Sequence, residues 1–361
     1  MDETERVSLF LEGFGHAMHN DYTVELENGK HLYYLENALI TPTKVNIENR
    51  TFSGCVYDRS GRLVSVAQRT KNHVAWKPTD PDQLPSDVDI HDVFEEKCIY
   101  LGHYSGHYGH FLLETLSRFW ILQQNIDYDW LIFQPFIHDI PHPSTFSPAR
   151  VSFESFNINP KKIVVARNPT RCKHLIVPNA LVEINNFANP AQATVYKQIA
   201  EYCNKISQKR NNLLYKILNP TVHSAQKHHR LYLSRRKLKS SHYIKNEAEV
   251  EKMFRNFGFH VIYPETLDFR DQVTLYNKAE VLAGFSGSAL HNSVFLQKGA
   301  LVITLGDLRR PSENHPNQKL SDALSGAQSV FVEFQGTTID ATRKIGWFDI
   351  DYLQNQLKAI L

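Results

Sequence analysis

Cysteine is scarce in this chain, and no two cysteines lie close together. Cys55, Cys98, Cys172 and Cys203 show no C-x-x-C spacing, so a disulfide framework is excluded as the organiser of the fold and the four read as reduced, mostly buried thiols. No apolar run approaches the roughly 20 residues needed to span a bilayer. The opening MDETERVSLF is acidic where a secretion leader is basic and then apolar, so the expected location is the cytoplasm. Charge of one sign is not in excess either: 40 Lys and Arg stand against 38 Asp and Glu, and any basic site must be local. Fixed-period repeats and low-complexity tracts are absent. What is left is a globular composition over 361 residues, long enough for two domains with their own cores.

The pattern along the chain is that of an α/β protein. YTVEL, HLYYL, TFSGCVYD and RLVSVA, separated by turn residues within residues 20–75, read as a β-rich N-terminal lead-in of hairpins laid against a first domain. Short apolar runs at Cys98–Leu101, Trp130–Phe133, Ile163–Ala166 and Leu175–Val177 alternate with a helical segment, Phe111–Gln124, which suggests a parallel sheet covered on both faces. A long helix is expected over Ala191–Leu214 and a linker over Pro220–Lys227. The domains are therefore placed at 1–218 and 219–361. The second opens with the strand Arg230–Ser234, then a helix with Asn246 and Glu249 as a capping-box-like pair and a stop at Gly258. A strand at Phe259–Tyr263 and a helix from Asp268 to Ala279 follow.

The stretch Val281–Asp307, VLAGFSGSALHNSVFLQKGALVITLGD, is the centre of the second domain. Two apolar runs flank a small-residue loop, Ser286-Gly287-Ser288, and a helix-length segment ending near Lys298-Gly299. Small residues let the backbone come close to a ligand, and the first helical turn favours an anion such as a nucleotide diphosphate. A serine nucleophile elbow does not fit, because Leu290 stands where G-x-S-x-G requires its second glycine. Just upstream, residues 220–246 carry seven Lys or Arg and no acid. Arg235 and Arg236 follow the strand LYLS, at the end where doubly wound sheets bind ligands, and suit a diphosphate. Lys237 and Lys239 read as surface residues, and without interleaved aromatics the stretch is no nucleic-acid patch.

A second constellation lies at GHYSGHYGH, residues 102–110, ahead of the helix FLLETLSRFW. His110, Glu114 and Arg118 share one helical face at four-residue spacing, a carboxylate flanked by a histidine and an arginine, which suits a general base acting on a hydroxyl. His103, His107, His110 and Glu114 also have the chemistry of metal ligands, which keeps a metal-dependent hydrolase as an alternative. Three Asp-x-Asp triplets, at 87–89, 127–129 and 349–351, read as turn and cap acids rather than as a metal-holding pair.

These residues resemble glycosyltransferase family 61. Its G-H-(F/W)-L-L-E-x-L-x-R-like segment is similar to Gly109, His110, Phe111, Leu112, Leu113, Glu114, Leu116 and Arg118. Its later blocks are similar to Ser234-Arg235, Asn246-Glu247, Gly258-Phe259 and Gln272, and then to Gly284, Gly287, Leu290, Asn292 and Phe295. The resemblance implies a GT-B-like architecture of two facing Rossmann-like domains. It also implies inverting transfer from a nucleotide sugar, usually a UDP-sugar, without an essential metal or other cofactor, and bacterial relatives of this kind build capsule or lipopolysaccharide glycans. The expected partners are the nucleotide sugar and a glycan or glycolipid acceptor, with membrane contact only through that acceptor. Glu114 or His110 would be the base, and His107 and Arg118 would border the acceptor. Arg235, Arg236, Ser286, Gly287, Ser288, His291, Asn292 and Asp307 would bind the donor. Ser286 stands where the family has a histidine, so His291 is expected to reach back to the phosphate. Asp307 takes over a ribose contact, because Thr304 replaces the family's acid. A non-catalytic nucleotide- or glycan-binding relative is the remaining alternative.

Overall fold

A computed structural model describes residues 21–69, 77–84, 87–136, 145–210, 229–238 and 244–361. The MDETERVSLF opening, the linker at Pro220–Lys227 and Lys239 lie outside them. The protein is mixed α/β and forms two compact units, Met1–Val195 and Tyr196–Leu361. The division falls inside a long helix, Ala193–Arg210, whereas the 218/219 boundary read from the sequence lies among the residues that are not described. Among the described residues no helix is long and apolar enough to cross a membrane.

The first unit is built on a seven-stranded mixed sheet. Its strands are β1 (Tyr22–Glu25), β2 (His31–Ile40), β3 (Val56–Tyr57), β4 (Asp92–Tyr104), β5 (Trp130–Pro135), β6 (Ile163–Val165) and β7 (Thr170–Pro178). The order is β1-β2-β7-β4-β5-β6, with β3 on β2. The four strands from β7 to β6 are parallel, and β2 joins β7 antiparallel. The lead-in does contain antiparallel hairpins, β1 with β2 and Lys44–Asn46 with Thr51–Ser53, but β2 is part of the first unit's own sheet and not laid against it. Main-chain ladder bonds from Leu32 to Ile40 complete the sheet itself, because an apolar strand edge is best covered by another strand. RLVSVA supplies only bridges at Arg62 and Leu63 and then turns. The four cysteines are all free and buried.

The second unit holds a five-stranded parallel sheet of β8 (Arg230–Leu233), β9 (His260–Ile262), β10 (Val281–Phe285), β11 (Leu301–Leu305) and β12 (Gln328–Val332), in the order β9-β8-β10-β11-β12. Every residue of β10 is buried, as expected for a central parallel strand with both faces covered. Asp268 caps the helix Phe269–Lys278 by accepting from the Arg270 amide at 3.0 Å. The helix Glu247–Asn256 ends ahead of Gly258, whose φ of +80° suits glycine. Its N-terminus is not a capping box: Asn246 exchanges two 2.9 Å bonds with the Phe348 backbone and offers only a 3.3 Å contact to Glu249. Of the Asp-x-Asp triplets, Asp349 caps the last helix, Asp127 and Asp129 bind Lys97, and Asp87 and Asp89 are exposed.

Each parallel set has one place where the winding direction reverses. In the second unit it lies between β8 and β10, and in the first between β4 and β7. At such a switch point the connections leave to opposite sides and open a crevice beyond the carboxyl ends of the strands, where ligands of this fold class sit.

Candidate active site

In the first unit the crevice is edged by the end of β4. The chain turns at Ser105–His107 and enters α1 (Tyr108–Leu113). Gly109, Phe111, Leu112 and Leu113 are buried, which leaves His110 and Glu114 together on the other face, one turn apart. The helix then tightens into a 3₁₀ segment, Thr115–Gln123, with Glu114 at the junction. The expected uniform helix to Gln124 is therefore two helices of different pitch.

Glu114 is the hub. It accepts from Arg69 Nε at 2.8 Å and Arg69 Nη2 at 3.0 Å, and its Oε2 is bonded to His110 Nδ1. Arg69 was not found in the sequence. It lies 45 residues upstream, and its only signal is an arginine closing the run RLVSVAQR. Its guanidinium lies 3.7 Å from the centre of the Phe136 ring and is almost fully buried. Burial alone would raise the Glu114 pKa, but the Arg69 charge and the His110 and Arg69 hydrogen bonds outweigh it and hold the carboxyl well below the usual range. A carboxylate stabilised in this way is a weak proton acceptor. Its chemical use is to orient the imidazole: with Nδ1–H donating to Oε2, the lone pair of His110 is on Nε2, and the ring is partly exposed, at 31%.

Arg118 does not flank Glu114 in the manner the spacing suggests. Its Nε donates to Pro178 O at 2.9 Å and its Nη2 to Val66 O at 2.7 Å. It packs against Gly102, where a Cβ would come within 2.6 Å of Nη1. Arg118 is thus a brace between the end of β7 and the loop after β3. His107 meets the His110 ring edge to face at 4.9 Å, and burial, then the His110 charge, lowers its pKa. His103 is buried on β4, with its ring against Phe136. Among the described residues no three His, Cys, Asp or Glu side chains are grouped to hold a metal ion, so the three histidines do not form the ligand set that the hydrolase alternative needs. A cavity of about 590 Å³ opens at the carboxyl ends of β4 and β7, with His103, Glu114, Arg118 and Asn179 in its wall.

In the second unit the switch point gathers Arg235, after β8, and the loop after β10. Ser286 donates its amide to Leu305 O at 2.8 Å, and its side chain is buried. Its carbonyl accepts from Arg235 Nη1 at 3.4 Å and from Arg309 Nη2 at 2.5 Å. Gly287 and Ser288 form the open corner. The segment beyond is a six-residue 3₁₀ helix, Leu290–Phe295, and not a helix to Lys298. Its summed dipole is small, and positive charge at this corner comes from side chains. Asn292 pins the turn by donating to Ala289 O at 2.9 Å. His291 is buried with Nδ1 on Gln318 Oε1 at 2.9 Å, and its ring packs against that of His315. Arg236 is turned to Glu251 and Tyr263, each at 3.1 Å. Asp307 is held by Arg309 through two nitrogens and lies 3.9 Å from Arg235 Nη1. Arg309 was also missed, as it falls just past the last apolar run.

The family model Glycosyltransferase 61 matches residues 108–303, more than half of the chain. The chain belongs to glycosyltransferase family 61. No curated protein matches it. Membership makes this a glycosyltransferase, which acts on a glycosyl donor and an acceptor. In this family 61 chain the matched segment runs from α1 into β11 and takes in His110, Glu114, Arg235 and the Ser286–Ser288 loop. Arg69, Asp307 and Arg309, which hold those groups in place, lie outside it.

Proposed function

We propose that this chain is an inverting glycosyltransferase of GT-B-like design. It would move a sugar from a nucleoside diphosphate donor, UDP-sugar first among them, to a hydroxyl of a glycan or glycolipid in surface polysaccharide synthesis. The observation that carries the reading is the convergence of Arg235 and Arg309 on the Ser286 carbonyl, beside the Gly287-Ser288 corner at the switch point. Two guanidiniums there, one of them partly exposed, match the charge that develops on a departing diphosphate, and preorganised cations stabilise that charge at the moment it forms. In this reading they do so without a divalent ion.

The proton-removing group is His110. Its Nε2 takes the proton of the acceptor hydroxyl as that oxygen attacks the anomeric carbon from the face opposite the leaving group. Glu114, held by Arg69, keeps the imidazole in the required tautomer and stabilises the imidazolium that results. His110 is therefore the base of the pair, and Glu114 positions it.

The test is a melting-temperature screen with nucleoside diphosphates, with and without EDTA, on the wild type and on Arg309→Met. A ligand that binds only the folded state raises the midpoint. The expected result is a rise with one nucleoside diphosphate that EDTA leaves unchanged and that Arg309→Met largely removes. No rise with any nucleotide, or a rise indifferent to Arg309, would sink the proposal and favour a non-catalytic relative.

A further inference from the structure

We infer that a β-hairpin of the second unit is a membrane-docking element, which lays an exposed tryptophan and a basic turn on an anionic lipid surface. Such contact is made by the protein's own side chains and is independent of any acceptor or transfer. The hairpin consists of β13 (Gly336–Asp340) and β14 (Ile345–Phe348). In β14, Gly346 and Phe348 are buried, and Trp347 between them is 42% exposed, as strand alternation requires. Phe348 joins the core of the second sheet, its ring 5.7 Å from that of Phe285 and 5.3 Å from that of Phe334. One face of the hairpin is thereby fixed to the unit, and the other is left outside.

On that outer face Thr337 stands opposite Trp347. Ile339 is the extra residue of a bulge, since Thr338 pairs with Gly346 and Asp340 with Ile345, and it is 45% exposed. The chain at 244–246 runs parallel along the other side of β14. Ile244 bridges Gly346, the Lys245 amide donates to Gly346 O at 2.8 Å, and Asn246 accepts from the Phe348 amide at 2.9 Å. Ile244 and Asn246 are buried and Lys245 is exposed, so alternation sets Lys245 beside Trp347. Lys245 closes the basic stretch at 220–246, and this position gives it a use apart from the Ser286 corner. The turn of the hairpin ends in Arg343 and Lys344, both exposed. Against these cations the hairpin carries one acid, Asp340. That carboxylate accepts from the Arg343 amide at 2.9 Å and lies 3.9 Å from Arg343 Nε. Asp349, just past the hairpin, is engaged at the Tyr352 amide as a helix cap.

A strand face at the surface is normally guarded by charge. Here it offers Thr337, Ile339 and Trp347, with cations around them. That combination fits a bilayer interface. Tryptophan is favoured there because its ring is apolar and its N–H polar, and each lysine or arginine near an anionic surface strengthens binding about fivefold. Two apolar side chains are too few for a stable protein partner, which needs roughly 800 Å² a side, whereas a lipid surface accepts them together with the basic turn. The inner face of the hairpin reaches the donor corner: Gly346 packs against Leu308, where a Cβ would come within 3.3 Å of Cδ1. Leu308 lies between Asp307 and Arg309, so a docked hairpin holds that loop one side-chain layer behind the lipid surface.

The test is co-sedimentation of the full chain with vesicles of phosphatidylcholine alone and of phosphatidylcholine and phosphatidylglycerol in equal parts, at low and high salt and without nucleotide. It uses the wild type, Trp347→Ala and Lys344→Glu. The expected result is wild-type binding to the mixed vesicles that falls in high salt and on phosphatidylcholine alone. Each variant should bind the mixed vesicles about fivefold more weakly or worse, with the melting temperature of the wild type. Wild-type protein that stays in solution with both vesicles, equal binding to the two vesicle types, or variants that sediment as well as the wild type would overturn the docking element. A dimer that Trp347→Ala dissolves, in a protein that leaves vesicles untouched, would assign the face to a second copy of the chain instead. Should Trp347→Ala fail to fold, Lys344→Glu in the exposed turn decides alone.

Discussion

Arg69 and Glu114 form a side-on, two-bond ion pair, with Nε to Oε1 at 2.8 Å and Nη2 to Oε2 at 3.0 Å, and both side chains are largely withdrawn from solvent. Neither is comfortable in that place without the other, since an unpaired charge in the interior costs more than the pair returns. The pair also leaves Glu114 free to hold His110. Stability and chemistry are therefore tied together at one carboxylate, and the two can be separated by mutation.

Glu114→Gln should lower stability by about 3–5 kcal/mol, the usual cost of stranding one partner of a buried pair, and should cut turnover while leaving donor affinity nearly unchanged. Adding Arg69→Met should restore part of the stability and none of the turnover. Urea midpoints and nucleotide titrations on the single and double variants check this. Near-normal turnover in Glu114→Gln would remove the carboxylate from the positioning role.

Acid should weaken the fold in two stages. The His103 pKa is held down to about 3, against 6.5 for a free imidazole, so below 6.5 the unfolded chain takes up a proton that the folded chain refuses. Its contribution is complete above 6.5 and declines by up to about 1.4 kcal/mol per pH unit as pH falls toward 3. The Glu114 pKa is also held below its ordinary 4.5, and its contribution is complete above that value and lost at lower pH. In urea melts from pH 7 to 4.5, His103→Phe should show a flatter profile than the wild type. An identical slope in the two proteins would contradict the buried neutral histidine.

Gln318→Leu should cost about 3 kcal/mol. The amide nitrogen donates to Leu290 O and Ser293 Oγ at 3.1 Å and to Asp322 Oδ1 at 2.7 Å, while its oxygen bonds His291. Leucine would leave several of these buried groups unsatisfied, at about 1–3 kcal/mol for each that finds no substitute. Denaturant melts give the loss directly, and a change below about 1 kcal/mol would show that the network relaxes around leucine.

Gly287→Ala separates folding from ligand binding at the second-unit corner. The residue has no positive φ, and a Cβ would meet Arg235 Nη1 at 3.5 Å, an ordinary contact. The unliganded melting temperature should stay within a degree or so of the wild type, while the new methyl group keeps a diphosphate from the backbone and reduces the UDP-induced rise. A full nucleotide response in this variant would place the phosphates elsewhere.

Much of the framework is legible along the chain. The runs at 230–233, 281–285 and 301–305 announce buried parallel strands, because a strand covered on both faces needs no polar alternation. His110 and Glu114 are legible for a local reason too, since three to four residues bring side chains together on any helix. The end of the helix after Glu114 is not. Whether Thr115–Gln123 winds as α or 3₁₀ depends on packing against β4 and β7, which the local pattern does not contain.

The sequence alone determined which segments must be buried, which turns they can make, and that a histidine and a carboxylate lie one turn apart ahead of a small-residue loop. Only the tertiary structure decided which charges those groups meet. It pairs Glu114 with Arg69 and not Arg118, sets Arg309 beside Arg235, and commits Asp307 to Arg309. The physical reason is that helix and strand periodicities are local and follow from the residues themselves. The partner of a buried charge is selected by sheet order and chain crossing, which bring together residues tens of positions apart and make the cost of leaving either one unpaired the deciding term.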